Sequence, residues 1–260
     1  MRPNSLFDHL PFLFIFVATV ALALLSFEGG FRVGRWRSRR QAHEQEVVVR
    51  VEVGVMLGLV SFILAITLWI ATTHFDAVRQ AKLNEANAIR TTYLRADLLP
   101  EPHRSEVRNL LREYVDVRLE AFRTGQYEQA ISRSEELQGQ LWSHAIAARE
   151  KVSSPVFAGY FIQSLNDMIA LHARRVTVGM EFRIPSTIWI GIYVIMALAA
   201  AAIGSHAGLT GASRPLVALA FILISSAVIL LIADLDNPRR GAIRVGKQAM
   251  ADLRRMMNDD

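Results

Sequence analysis

The chain has 260 residues, 52% of them hydrophobic, a formal net charge of +5 and no cysteine. Its mean hydropathy of +0.26 is high for a soluble domain and modest for a protein made only of membrane spans, so apolar spans joined to a sizeable polar region are expected. The lack of Cys excludes disulfides, thiolate metal sites and thiol nucleophiles. Without a helix-turn-helix, a finger or an aromatic–basic ladder, the positive charge points to phospholipid headgroups and not to nucleic acid.

Leu10 to Phe27 (LPFLFIFVATVALALLSF) carries no charge and, at about 18 residues, is near the lower limit for a bilayer span. A cleaved signal peptide is the rival reading, with Ala21-Leu22-Ala23 as a small-x-small site, but Arg2 alone is basic ahead of the run and Asp8 opposes it. Glu28-Gly29-Gly30 and the run Arg32, Arg35, Arg37, Arg39, Arg40 are expected to end the span in a basic loop. The second span is expected over Gly54–Thr73, so residues 1–73 form a first transmembrane hairpin with spans at about 10–27 and 54–73. Gly54 and Gly58 present a small-xxx-small face for helix packing. Ser61, Thr67, Thr72 and Thr73 are the polar side chains of this span and can return hydrogen bonds to their own backbone. No Gly or Pro follows before Pro100, so the span is expected to continue as one helix into water.

Residues 74–185 read as a polar helical domain. Leu99-Pro100-Glu101-Pro102 breaks its first helix. The next carries Val107, Leu110, Leu111, Tyr114, Val115, Arg118, Leu119 and Phe122 at amphipathic spacing and stops at Gly125. A third helix spans Gln126 to Lys151, and a fourth follows Ser154-Pro155 and runs to Phe182. Residues 186–236 form a second hairpin, with spans at about 186–203 and 216–233, a loop between them, and Trp189 and Tyr193 as interfacial anchors. The tail, 237–260, is polar and reads as one short helix. The expected fold is an all-α integral membrane protein: four transmembrane helices, with a helical cytosolic domain inserted between the second and third.

Four spans put both termini on one side. The balance of Arg and Lys near the span ends favours cytoplasmic termini and a cytoplasmic polar domain in a multi-pass protein of the cell inner membrane; the arginines of the first loop argue the other way.

The spans hold no Asp, Glu, Lys or Arg, which counts against a proton-coupled pump but not against a passive pore with basic rims. The seven histidines show no metal-binding helical spacing, and there is no nucleophile elbow, P-loop or Rossmann glycine pattern. No enzyme activity and no cofactor are therefore expected. Glu85, Asp97, Glu101 and Glu106 read as a solvated helix face. Asn84, Asn87, Thr91 and Arg95 share one face of a helix and, with Ser61 and Thr67, are the candidates for a pore-facing or polar stripe; a contact to a neighbouring helix or subunit is the blander reading. Asp234 and Asp236 close the last span, where carboxylates oppose the helix dipole and need cationic partners. Arg239 and Arg240 are the simpler choice and a bound divalent cation the sharper one.

Three blocks carry a family resemblance: Glu85–Ile89 with TTYLRADLLP (Thr91–Pro100), Arg104, Leu111, Tyr114 and Arg118; Ser164–Ile169 with His172-Ala173-Arg174-Arg175; and DLDNPRRGAIRV from Asp234 to Val245. The chain resembles, from about Val51 to Leu253, the bacterial bestrophin-like domain family, distantly related to the bestrophin anion channels. The resemblance implies a homo-oligomer in the lipid bilayer, a pentamer by analogy, passing anions. The long acidic calcium-clasp run of animal bestrophins is missing; Asp234 and Asp236 alone stand near its place. Two functions follow: a passive anion channel lined by the Gly54–Pro100 helix, or a membrane-anchored helical interaction or sensor module without a pore.

Overall fold

The structure, a computed structural model, describes residues 11–39, 46–149, 155–180, 184–211, 215–237 and 248–259. These hold eight α-helices and no strand: α1 (Phe12–Ser38), α2 (Glu46–Arg95), α3 (His103–Thr124), α4 (Tyr127–Arg149), α5 (Pro155–Met180), α6 (Ser186–Thr210), α7 (Pro215–Asp236) and α8 (Gln248–Asp259), with a 3₁₀ turn at Ala96–Leu98. They form two compact units, Met1–Phe75 with Arg183–Arg244 and Asp76–Phe182 with Val245–Asp260. The helix α2 contributes to both.

The first unit contains the four helices long and apolar enough to cross a membrane: α1, the Gly54–Leu98 helix through its apolar stretch, α6 and α7. In α2 that stretch ends near Thr73; beyond it Asp76, Arg79, Lys82, Glu85 and Arg90 are too many charges for a hydrocarbon layer. Large apolar side chains such as Leu13, Phe14, Leu25, Phe62, Trp69 and Ile224 point outward, as a lipid solvent requires. Inside, Val60, Leu64, Ile192, Met196, Ile229 and Ile232 pack together.

Two expected loops turn out to be helix. The α1 helix does not stop at Gly29-Gly30 but runs to Ser38, carrying Arg32, Arg35 and Arg37 on its last turns, and α6 does not stop at Ile203 but runs to Thr210. Gly30, expected to help end the span, is a contact point instead. A Cβ on Gly30 would lie 1.9 Å from the Ala201 carbonyl oxygen, and one on Gly204 would lie 2.0 Å from that of Phe27. Gly34 and Gly208 meet Ser205 and Phe31 in the same way. Two small-xxx-small faces, Gly30/Gly34 and Gly204/Gly208, thus bring the α1 and α6 backbones into direct contact, where packing and Cα–H···O contacts replace the hydrophobic drive that lipid cannot supply. Thr19 Oγ1 adds a 3.1 Å hydrogen bond to Tyr193 Oη. Trp189 is not an interfacial anchor: it is 0% exposed, packed inside this unit.

The second unit is built as the sequence pattern dictates. Apolar residues recur at helical spacing on each element, and Ile89, Tyr93, Leu111, Leu141, Leu165 and Met168 meet in one core. Gly125 adopts φ 77°, the left-handed conformation that glycine takes at no steric cost, and its N–H bonds Ala121 O to close α3. The tail is not a free appendage. Met250, Leu253 and Met257 of α8 enter this core, Arg254 pairs with Asp116, and Met257 O accepts hydrogen bonds from Tyr93 Oη and Arg112 Nε.

Candidate functional site

The densest polar feature lies inside the second unit. The α2 stripe Val78, Ala81, Glu85, Ile89, Thr92 has the spacing of a buried helix face, and all five residues are buried, as is Ala96 in the turn that follows. One of them is a carboxylate. Glu85 is 0% exposed, so the expectation of a solvated acidic face fails at this residue. Its partners occupy equivalent core positions on neighbouring helices, Tyr114 and Arg118 on α3 and His172 and Arg175 on α5, with Gln138 of α4 behind Tyr114.

Glu85 Oε2 lies 2.7 Å from Arg175 Nε and 3.8 Å from Arg118 Nη2. Glu85 Oε1 accepts a 3.2 Å hydrogen bond from the Tyr114 hydroxyl and lies 3.2 Å from His172 Nδ1. His172 Nδ1 is also 2.7 Å from Tyr114 Oη, and Gln138 Nε2 donates to the same hydroxyl at 3.4 Å. Burial pushes the Glu85 carboxyl up, but the His172 hydrogen bond and the charges of Arg175 and Arg118 outweigh it and hold it at about 2. The Tyr114 phenol is pushed up by burial and by the Glu85 carboxylate beside it. Glu85 is thus an anion at every physiological pH, and Tyr114 a neutral donor. The cluster fastens α2 to α3 and α5 through one shared charge. A carboxylate so stabilised is a poor base, and no nucleophile stands beside it, so its chemistry is that of a structural lock.

The residues singled out from the sequence lie elsewhere. Asn87 and Thr91 are exposed, and Asn84 is half-buried. Asn84 accepts a 2.9 Å bond from Gln80, and Thr91 bonds the Asn87 carbonyl, so the stripe is satisfied along its own helix and turns outward from its own unit. Arg95 leaves this face to donate to Tyr160 O at 2.9 Å and to stack on the Tyr160 ring. In the first unit Ser61 is exposed, whereas Thr67 is buried and bonds Ile63 O at 2.8 Å. A Cβ added to Gly54 or Gly58 would meet no atom of this chain within 4 Å; among the described glycines, Gly30, Gly34, Gly204 and Gly208 are the ones pressed against another helix's backbone.

Asp234 and Asp236 are both buried. Asp236 Oδ1 accepts the Ile184 N–H at 2.9 Å, immediately before α6 begins. A carboxylate that opposes the dipole of α7 is thereby placed at the positive end of α6. Arg239 and Arg240 lie outside the described residues. No group of three or more His, Asp or Glu that could hold a metal occurs among the described residues.

Four apolar helices, two of them joined through glycine contacts, and a helical unit locked around a buried carboxylate define an all-helical membrane protein. The sequence matches the Bestrophin-like domain over residues 17–250, and the chain belongs to that family. A bacterial Bestrophin homolog from Klebsiella pneumoniae, solved as a point variant, superposes with a TM-score of 0.68 at 13% identity, covering 95% of this chain and 99% of that one. Two point variants, each described as a membrane protein, give 0.71 at 12% and 13% identity, covering 95% and 96% of this chain and 97% and 98% of theirs. At such identities the likeness is one of fold. No curated protein matches. Glu85, Tyr114, Arg118, His172 and Arg175 all come from the sequence blocks that carry the family resemblance.

Proposed function

We propose that copies of this chain assemble in a cell inner membrane into a passive anion channel, with the exposed face of α2 lining the path or its contacts. The observation that carries this reading is that face. Over the apolar stretch, Gly58, Ser61, Phe62, Ala65, Ile66 and Trp69 are left uncovered by the rest of the chain. Over the polar part, Gln80, Leu83, Asn87, Thr91 and Leu94 are uncovered too. A helix this long whose Asn87 and Thr91 stay exposed among the described residues is suited to an axis shared by several copies. The span carries no charge, so an ion would cross a neck of apolar and hydroxyl groups, and arginines flank the apolar stretches. The family resemblance supplies the oligomer, a pentamer by analogy, and the anion. The same reading puts the termini and the second unit in the cytoplasm, following the Arg and Lys balance.

The chain has no native cysteine, which makes a clean experiment available. Single substitutions Asn87→Cys and Thr91→Cys, oxidised or bridged in native membranes, should give covalent dimers, and short flexible crosslinkers a ladder of higher multimers. Monomer throughout would remove the shared axis and leave the pore-free interaction module.

A further inference from the structure

The Glu85 cluster is uneven in charge. Arg118 and Arg175 each bring a full positive charge, since a guanidinium keeps its proton in proteins, and among the described residues Glu85 is the carboxylate within ion-pair reach of both. Tyr114 and Gln138 enter as neutral hydrogen-bonding groups, and His172 adds no negative charge in either protonation state. One carboxylate therefore faces two guanidiniums, and a positive charge is left over in the interior of the second unit.

The surplus falls on Arg118. Arg175 Nε lies 2.7 Å from Glu85 Oε2, whereas Arg118 approaches the same oxygen only to 3.8 Å, through Nη2. The Nε and Nη1 of Arg118 are sealed from solvent and have no acceptor among the described residues. The side chain as a whole is 2% exposed, so bulk water does not replace the missing partner. Buried N–H groups of an ion are the costliest donors to leave unmet, and folded interiors supply them with an acceptor. Charge decides which acceptor. A water molecule would satisfy a donor and leave the charge uncompensated, whereas an anion does both. Packing decides its size, because the neighbouring helices close on a dense apolar core that admits a small ion and not a phosphate ester or a carboxylate metabolite.

We propose that the second unit binds one small monovalent anion of the halide class, chloride being the abundant member, against Nε and Nη1 of Arg118. The ion balances Arg118 as Glu85 balances Arg175, and it completes the lock by accepting from the donors that the chain itself leaves dry. It is a fixed ion within a single chain. It lies apart from any path that copies share along the exposed face of α2, and it stands whether or not the assembly conducts.

The test uses the full chain in detergent, exchanged into gluconate, an anion too large for a packed interior. Melting temperature is followed as chloride replaces gluconate at constant ionic strength, so that screening does not change. The native chain should melt higher as chloride rises, in step with the logarithm of concentration once the site is filled. Arg118→Met removes the surplus charge and the dry donors together but leaves Glu85 paired with Arg175, so it should lose the chloride response. In crystals of the native chain soaked in bromide, anomalous scattering should place one bromide beside Arg118 within each second unit, set apart from any ion on a shared axis. That measurement needs no variant and decides the matter if Arg118→Met does not fold. A melting temperature indifferent to chloride, a rise equally large in Arg118→Met, or density beside Arg118 without a bromide signal overturns the proposal, the last leaving a water as the acceptor.

Discussion

The carboxylate of Glu85 meets the guanidinium of Arg175 at 2.7 Å in an interior where solvent scarcely reaches either side chain. Removing one member of a buried pair strands the other charge. Glu85→Ala leaves Arg118 and Arg175 facing each other without their shared anion, and it should cost about 3–5 kcal/mol. Arg175→Met should be milder, because Arg118 still faces Glu85 at 3.8 Å. The double variant should fall well short of the sum of the two losses. Chemical denaturation of the purified protein measures all three; strict additivity would mean that the two groups do not interact.

The same cluster sets an acid limit. The folded Glu85 carboxyl is held at about 2, against 4.5 in the unfolded chain. A group whose folded pKa is depressed stabilises the fold fully above its unfolded pKa and loses that contribution as pH falls toward the folded one. Roughly 3 kcal/mol should therefore disappear between about pH 4.5 and pH 2. Melting curves over this window should fall less steeply in Glu85→Gln, which has no proton to gain at that position.

Glycine substitutions should separate contacts within the chain from contacts beyond it. Gly30→Ala and Gly204→Ala place a Cβ into backbone carbonyls at 1.9 and 2.0 Å, and each should cost about 1–3 kcal/mol and loosen the pairing of α1 with α6. Gly58→Ala meets no atom within 4 Å, so the chain itself should tolerate it or gain slightly from better helix propensity. A change in oligomer distribution in Gly58→Ala, seen by native mass spectrometry without loss of melting temperature, would assign that glycine to a contact between copies.

Asp236 gives a fourth prediction. Its Oδ1 is the acceptor for the buried Ile184 N–H. Asp236→Ala should cost about 1–3 kcal/mol by leaving that donor unpaired, while Asp236→Asn retains an acceptor and should lose less. If the two variants melt together, the hydrogen bond is immaterial. If calcium restores neither, the carboxylate acts on the backbone and not through a metal.

The helical class, the four apolar stretches and the polar helices were legible because apolar periodicity and charge-free runs leave few alternatives. The misreadings share a cause. Gly29-Gly30 read as a stop because glycine usually punctuates, yet beside a second helix it is what lets two backbones touch. Glu85 read as solvated because charge usually is. The signal for its burial was available: it occupies an apolar stripe between Ala81 and Ile89, just as Arg118 follows Leu111 and Tyr114, and His172 and Arg175 follow Leu165 and Met168. Polar residues at core positions on three helices were there to be paired. That Arg118 would keep two nitrogens without an acceptor among the described residues had no such mark, since it depends on how α2 and α3 pack.

Whether ions pass is the most direct test of a channel built around α2. The purified protein, reconstituted into planar bilayers under a potassium chloride gradient, should conduct, with a reversal potential displaced toward the chloride equilibrium potential, and Asn87→Cys or Thr91→Cys modified by a bulky thiol reagent should reduce the current. Conductance no greater than that of protein-free bilayers, or a reversal potential at the potassium value, would contradict it.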